Sequence, residues 1–155
     1  MKRILIAADD TIGTKNAFST FADICSCIRP EFIGLVYVEK FEGKSLIAEM
    51  LGDAEMATLK NVLTGTEYQN ALDKKAQTVL DYYQKALMDR GLTNVKPIIR
   101  RGHPAEEILK TAKEEKADMI IVGARGERTT HLFMGSVSRE VADNATIPVL
   151  IVKQS

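Results

Sequence analysis

The sequence predicts an α/β protein with an open, doubly wound, five-stranded parallel sheet that is covered by helices on both faces. Short apolar runs alternate along the chain with longer segments whose apolar residues recur at helical spacing. The runs are mostly continuous rather than alternating, as is typical of strands buried on both faces. Strands that alternate with helices form right-handed crossovers, which produce a parallel sheet between two helical layers.

The first strand is predicted at Arg3–Ala8, a continuous apolar run. A helix follows from about Thr14 and ends before Pro30. Its apolar stripe consists of Ala17, Phe21, Cys25 and Ile28. Residues 32–38 are rich in β-branched and aromatic side chains and predict a second strand. We expect residues 39–66 to form either one or two short helices or a flap, because bare loops of this length are uncommon in compact domains.

The strongest helix signal covers residues 72–87. Gly91 is expected to end this helix, because glycine readily adopts the left-handed conformation of a C-terminal cap. A third strand is predicted at residues 95–100. It contains charged side chains and Pro97, which lacks a backbone donor, so this strand belongs at an edge of the sheet.

The C-terminal part of the chain predicts two helices and two strands. Pro104 opens a helix at a position where its missing N–H costs nothing, and His103 is expected to cap this helix. A buried strand follows at residues 119–122. A last helix is predicted at residues 136–142, and the final strand at residues 147–152.

The composition limits the cellular setting and the partners. Residues 1–155 are expected to form one domain, since a chain of this length can bury one hydrophobic core. The 21 basic residues balance the 21 acidic ones, so no net field attracts nucleic acid or an anionic membrane. The first apolar run is too short for a signal or membrane segment and ends at Asp9 and Asp10, so we expect a cytoplasmic protein. Cys25 and Cys27 fit neither a redox pair nor a zinc site and are expected to be packing residues.

Two loops form the predicted ligand site. In an open doubly wound sheet, ligands bind beyond the carboxyl ends of the strands, at the point where the strand order reverses. By analogy we assume the strand order 3-2-1-4-5. This order brings residues 8–11, which follow the first strand, opposite residues 123–126, which follow the fourth.

The second loop has the residue types of a phosphate site. Gly123, Gly126 and Gly135 allow backbone N–H groups to approach phosphate oxygens, and a helix that begins with Ser136 adds free donors and a positive dipole end. The Ser136 hydroxyl can either cap this helix or bind phosphate. Two arginines of the same loop can add positive charge, namely Arg125 and Arg128. The alternative is that the glycines merely form a turn and start a helix.

Two better-known phosphate motifs do not fit this sequence. Residues 43–45, Gly-Lys-Ser, match the end of a P-loop, but the first glycine of that motif would fall at Val38. No G-x-G-x-x-G follows the first strand, where residues 7–10 are Ala-Ala-Asp-Asp, and this disfavours a nicotinamide-dependent dehydrogenase.

Over nearly its whole length the sequence resembles the universal stress proteins. Residues 3–9 resemble the first strand of that family and its acidic end, residues 104–109 and 117–123 its third helix and fourth strand, and residues 135–138 and 148–152 its closing part. The resemblance implies a Rossmann-like fold. The nucleotide-binding branch of the family carries Gly, two residues, Gly, nine residues, then Gly and Ser or Thr, and its members bind ATP.

The resemblance also implies roles for individual residues. Asp9 would meet the ribose or adenine side. Apart from the resemblance, Asp9 is a candidate ligand for Mg²⁺ together with the nucleotide, because this ion is usually held by one or two carboxylates plus phosphates. The adenine pocket would be lined by Ala8, Val38 and Val122. The phosphates would be wrapped by Gly123, Gly126, Gly135, Ser136 and Val137, with charge from Arg125. Only eight residues separate Gly126 from Gly135, one fewer than in the pattern, so the loop is expected to hold phosphates differently or less well.

The resemblance further implies a homodimer that pairs through the final strand. Residues 147–152 are apolar on both faces and lie at an edge in the assumed order, and such an edge invites pairing with a second chain. Three functions remain open. The first is a nucleotide-responsive binding module with an unidentified protein partner. The second is a slow ATP hydrolase or phosphotransferase, in which Asp9 or Asp10 places a metal and His131 or the loop arginines stabilise charge. The third is a dimer with a purely structural role.

Overall fold

The structure, a computed structural model, describes residues 1–9, 11–39, 65–124 and 134–153. In this part of the chain strands and helices alternate in the order β1 (Arg3–Ala8), α1 (Ile12–Ile28), β2 (Phe32–Glu39), α2 (Gly65–Met88), β3 (Val95–Arg101), α3 (Pro104–Glu114), β4 (Met119–Gly123), α4 (Ser136–Asn144) and β5 (Val149–Val152). All strand pairs are parallel and their order is β3-β2-β1-β4-β5. The predicted doubly wound α/β fold and its strand order are therefore confirmed.

Two apolar layers enclose the sheet, one on each face. The alternation of a β-strand directs Ile4, Ile6 and Ala8 of β1 to the layer that contains α1 and α2. It directs Leu5 and Ala7 to the layer that contains α3 and α4. Because β1 is the central strand and contributes to both layers, it is continuously apolar.

The edge strands agree with the sequence pattern. β3 lies at one edge of the sheet, as its charges and Pro97 predicted, and β5 lies at the other. β2 is one residue longer than predicted and ends at Glu39. Residues 40–64, for which short helices or a flap were expected, lie outside the described residues. α2 spans Gly65–Met88 and so extends beyond both ends of the predicted stripe of residues 72–87.

The helix ends have identifiable causes. Thr11 caps α1, since its Oγ1 accepts a hydrogen bond of 3.2 Å from the N–H of Thr14. α1 ends at Ile28, and Arg29 adopts a left-handed conformation (φ 51°) just before Pro30. Gly91 is left-handed with φ 81° after the end of α2, as predicted.

Two predictions about single residues are wrong. His103 occupies the N-cap position of α3 but forms no capping bond with its side chain. Its Nε2 instead lies 2.8 Å from a carboxylate oxygen of Glu140 in α4. Cys25 is buried, and burial raises the pKa of its thiol to about 11, but Cys27 is exposed. Two positions along a helix correspond to a rotation of about 200°, so both thiols cannot face the core.

Among the described residues, none of the helices combines the length and the apolar character that a membrane crossing requires.

Candidate functional site

The strand order reverses between β1 and β4, and the carboxyl ends of these two strands lie side by side. Gly123 ends β4 against the first turn of α1. A Cβ atom at this position would lie 3.5 Å from Oγ1 of Thr14, which is buried. This is an ordinary van der Waals distance, so the end of β4 lies close against α1 at the predicted ligand crevice.

Among the described residues, no side chain caps the N-terminus of α4. Gly135 is the N-cap residue, and the first turn of the helix contains no acidic residue. The first helical hydrogen bond runs from the N–H of Arg139 to the carbonyl of Gly135 (3.0 Å), so the N–H groups of residues 136–138 precede the helical ladder. Ser136 is exposed as the first residue of the helix, so it is not the capping residue. Backbone donors and the positive end of the helix dipole are thus free to meet an anion.

A hydrogen-bonded clasp joins the end of β4 to the start of α4. The N–H of Gly135 donates to the carbonyl of Ala124 over 2.6 Å. The Ser138 hydroxyl lies 3.2 Å from this carbonyl and 3.0 Å from that of Gly135, and it donates to one of the two. Ser138 is buried and was missed by the sequence analysis, although a serine in the first turn of a helix is a recognisable signal. The clasp fixes the helix N-terminus at the carboxyl end of β4.

Asp9 is held in a tight turn at the end of β1. Its Oδ1 accepts hydrogen bonds from the N–H (2.8 Å) and the Oγ1 (2.5 Å) of Thr11. Its backbone carbonyl accepts a bond of 3.0 Å from the hydroxyl of Tyr83 in α2. Thr14 and Tyr83 were not predicted as site residues, and Thr11 was predicted only as part of the loop of residues 8–11. The Asp-x-Thr spacing of an Asx turn and the apolar stripe of α2 are the signals that could have identified them.

The structure does not bring together all three residues predicted to line the base pocket. Val38 and Val122 belong to the α3–α4 face of the sheet, whereas Ala8 is buried on the opposite face. Ala7, which is partly exposed, shares the face of Val38 and Val122, and so does Val137 of α4. The side-chain direction alternates along a strand, so an error of one residue exchanges the faces.

Several predicted site residues lie outside the described residues, so their positions are untested. These are Asp10, Arg125, Gly126, Arg128 and His131. Within the described ranges, no group of three or more His, Cys, Asp or Glu side chains could hold a metal ion.

A charged cluster lies at the carboxyl end of β2, one residue beyond Val38. Glu39 is 4% exposed, and its Oε2 accepts hydrogen bonds from Nε of Arg101 (3.0 Å) and Nε2 of Gln69 (3.1 Å). Arg101 also contacts Asp73 of α2 over 3.1 Å. Burial raises the pKa of Glu39, although the bonds from Gln69 and Arg101 oppose this rise. The cluster ties β3 and α2 to the end of β2.

The comparisons with known proteins agree with this fold. The model of the universal stress protein family matches residues 1–153. Universal stress protein MJ0577 of Methanocaldococcus jannaschii is 38% identical over 89 residues, which are 57% of this chain and 54% of that protein. The solved structure of MJ0577 has a TM-score of 0.77 and 28% identity, covering 99% of this chain and 96% of the other. The match covers similar parts of two other relatives, 59% of universal stress protein YxiE of Bacillus subtilis and 64% of a universal stress protein of Thermus aquaticus. The chain therefore matches less than two thirds of the length of these three curated relatives.

Two more distant solved structures share the fold and contain adenine nucleotides. A universal stress protein in complex with cAMP has a TM-score of 0.65 at 20% identity, covering 99% of this chain and 98% of the other. A universal stress protein family protein from Arabidopsis thaliana with AMP bound has a TM-score of 0.67 at 17% identity, covering 100% and 93%. At these identities the likeness shows the fold.

Proposed function

Since the chain belongs to the universal stress protein family, we propose that it binds an adenine nucleotide, ATP above all, in the crevice between the carboxyl ends of β1 and β4. The observation that carries this proposal is the uncapped N-terminus of α4 at the point where the strand order reverses. Relatives of the same fold with AMP or cAMP bound support the adenine class of ligand.

Of α1, α3 and α4, only α4 lacks both a side-chain cap and an acidic first-turn residue in the described part of the chain. Thr11 caps α1, and α3 begins with Pro104 and has Glu106 and Glu107 in its first turn. Gly135 has φ −63° and ψ 157°, an extended conformation that any residue adopts, so a Ser or Asp cap could occupy the position without backbone strain. A phosphate group would supply the acceptor that α4 lacks, and it would meet the positive end of the helix dipole.

The two other parts of the nucleotide also have candidate partners. Ala7, Val38 and Val137 are partly exposed on one face of the sheet beside buried Val122, and they offer an apolar wall for adenine. Asp9 lies at the end of β1, where it would face the ribose. Mg²⁺ is usually held by one or two carboxylates together with phosphates, so Asp9 would hold the ion only when nucleotide is bound.

A substitution at Gly135 tests the phosphate contact. Gly135→Asp places a carboxylate on the free donors of α4, so it should stabilise the helix by about 0.3 kcal/mol and oppose a bound phosphate. We expect calorimetric titration to show ATP affinity at least about tenfold weaker, and adenosine affinity unchanged. Asn144→Asp, with the same change of charge at the other end of α4, is the control and should leave ATP binding within about twofold of wild type.

Two outcomes contradict the proposal. The first is a wild-type protein that gives no binding heat with ATP, ADP or AMP and releases no nucleotide on denaturation. The second is a Gly135→Asp protein that binds ATP as tightly as the wild type does.

We also propose that the nucleotide acts on a cytoplasmic homodimer that pairs through β5 and presents a surface to a protein partner. The N–H of Ile120 donates to the carbonyl of Pro148 (2.9 Å), and the N–H of Ala124 donates to the carbonyl of Val152 (2.8 Å). In this register the backbone groups of Val149 and Ile151 face away from β4. The carbonyl of Ala124 accepts the bond from the N–H of Gly135. Ala124 therefore connects the N-terminus of α4 to β5 through one hydrogen bond on each side, and a ligand at α4 would act on a chain paired with β5 through this residue.

A proline in β5 tests the dimer. Ile151→Pro removes an outward donor but no bond to β4, so we expect a folded monomer, whereas Ile151→Val keeps the donor and should remain dimeric. Sedimentation velocity measures the mass and circular dichroism the fold. A monomeric wild type, or a dimeric Ile151→Pro protein, refutes pairing through β5.

A further inference from the structure

We propose that the groove along the β3 edge is a docking site for an extended acidic segment of a partner protein, which adds to the sheet as a further strand beside β3. The groove, of about 800 Å³, lies between α2 and α3. Its lining comprises Asp73, Lys74, Gln77, Ile99, Arg100, Arg101, Glu107 and Lys110. Four of these residues are basic and two are acidic, so the lining favours a negatively charged occupant.

Only the C-terminal half of β3 has outward backbone N–H groups that can pair with a further strand. The N–H of Ile33 donates to the carbonyl of Asn94 (2.9 Å), and the N–H of Gly102 donates to the carbonyl of Glu39 (3.2 Å). The backbone groups of the even-numbered residues of β3 therefore pair with β2, and those of the odd-numbered residues point away from the sheet. Of the odd-numbered residues, Val95 has its carbonyl covered by the Gln84 amide (3.4 Å), and Pro97 has no N–H.

The outward N–H groups that remain for a docked chain are those of Ile99 and Arg101, and both residues line the groove. The carbonyls of Pro97 and Ile99 face the same way. An extended segment can exchange hydrogen bonds with these groups, which is how peptides add to an exposed sheet edge.

The charges of the groove select an acidic segment. Arg101 is paired with Glu39 and Asp73, and Arg100 with Glu114. Lys74 on the α2 wall and Lys110 on the α3 wall form no ion pair within the described part of the chain. Two unpaired ammonium groups on opposite walls can contact carboxylates on both faces of an added strand, because successive side chains of a strand point to opposite faces.

Arg100 carries an unsatisfied donor beside the groove. Its Nε is buried and has no hydrogen-bond acceptor among the described residues. Because this atom is buried, a docked segment reaches it only if the Arg100 side chain moves. A second copy of the chain is a poorer occupant, because two β3 edges would bring their lysines and arginines together.

The proposed docking site is separate from the nucleotide crevice. β3 is the edge strand beyond β2, whereas the crevice lies between β1 and β4. The two proposals can therefore fail independently.

The test uses the full chain and an acetylated eight-residue peptide that repeats Glu-Glu-Val-Val, which places carboxylates on both faces of an added strand. We expect binding in fluorescence anisotropy, with shifts of the Ile99 and Arg101 amide signals in NMR spectra. A peptide that repeats Lys-Lys-Val-Val should not bind, because the groove is basic. The acidic peptide N-methylated throughout cannot pair with a strand and should lose binding. Equal binding of the N-methylated peptide, or no binding of the unmodified one, overturns the proposal.

Charge reversal locates the contact. The double variant Lys74→Glu/Lys110→Glu should bind the acidic peptide roughly tenfold more weakly at low salt, since two attractive contacts become repulsive. The control is Lys85→Glu/Lys113→Glu, with the same change of charge on the same two helices outside the groove, and it should bind within about twofold of wild type. Equal loss of binding in both double variants would show that only net charge matters, and it would overturn docking in this groove.

Discussion

Glu39 is a buried carboxylate whose pKa is raised by burial and by the neighbouring Asp73 and lowered by the hydrogen bonds from Gln69 and Arg101. Its carboxylate is 4% exposed, Arg101 and Gln69 donate to Oε2, and Oε1 has no partner within the described part of the chain. A buried carboxylate of this kind is stable in its charged form only while its cation remains, because burial alone favours the protonated form. Gln69 and Arg101 therefore both favour the ionised form of Glu39 in the folded protein, and Arg101 supplies the positive charge.

Arg101→Met should destabilise the protein most at neutral pH. The variant leaves Glu39 charged and unpaired, and we expect Tm to fall by roughly 3–6 °C at pH 7. In the variant the folded-state pKa of Glu39, already raised by burial, rises further. The free energy of unfolding therefore decreases as the pH rises through this pKa, and it recovers at lower pH where Glu39 is protonated. The decrease in Tm should be smaller at pH 5 than at pH 7, and scanning calorimetry at these two pH values measures both decreases.

Arg90→Met is the matched control, since Arg90 pairs with Asp23 and both side chains are more than one third exposed. Its Tm should change by less than about 2 °C, because exposed ion pairs contribute little. An Arg101→Met protein that is no less stable than Arg90→Met would contradict the role given to Glu39.

At the scale of single elements, the sequence predicts what depends on composition and periodicity. The charges and Pro97 of β3 correctly indicate an edge strand, and Gly91 correctly marks the end of α2. Ala8 lies on the opposite face of the sheet from Val38 and Val122, with which it was expected to line the base pocket. The run Arg3–Ala8 is apolar on both faces, so nothing in the run itself tells one face from the other. Only the helices packed on each face, seen in the structure, separate Ala7 from Ala8.

The pairing of α3 with α4 shows a second limit of sequence reasoning. The N-cap position of His103 follows from Pro104, but its partner is 37 residues away and no local pattern indicates it. Glu140 raises the pKa of His103 through a hydrogen bond, and Glu106 contributes in the same direction through its charge. The ion pair joins the start of α3 to the helix that carries the proposed phosphate site.

His103→Gln should remove a stabilisation that is present only at acidic and neutral pH. The pKa of His103 is higher in the folded protein than the unfolded value of about 6.5, so its stabilisation is complete below that value and disappears as pH rises through the folded-state pKa. We expect the Tm of the wild type to exceed that of the variant at pH 6 and to match it at pH 9. Glu140→Gln should give the same pattern. If the wild type and the variant differ in Tm by the same amount at pH 6 and at pH 9, titration of His103 beside Glu140 is not the cause of the difference.

At the scale of the whole molecule, the alternation of strands and helices predicted the parallel sheet. The strand order was assumed by analogy and is confirmed by the structure. The location of the crevice stays a prediction, which follows from this order because the carboxyl ends of neighbouring parallel strands meet wherever the order reverses. The contacts that position its residues could not be predicted, because Tyr83 with Asp9 and Gly135 with Ala124 are tertiary contacts between separate elements.

The most direct test of the central claim is an NMR titration of the labelled protein with ATP and, separately, with adenosine. If phosphate binds the uncapped helix, the amide signals of Ser136 and Val137 should shift with ATP and much less with adenosine, because these N–H groups lie at the N-terminus of α4. Signals of Ala7 and Val38 should shift with both ligands. Shifts with ATP that leave Ser136 and Val137 unchanged would contradict the proposed site.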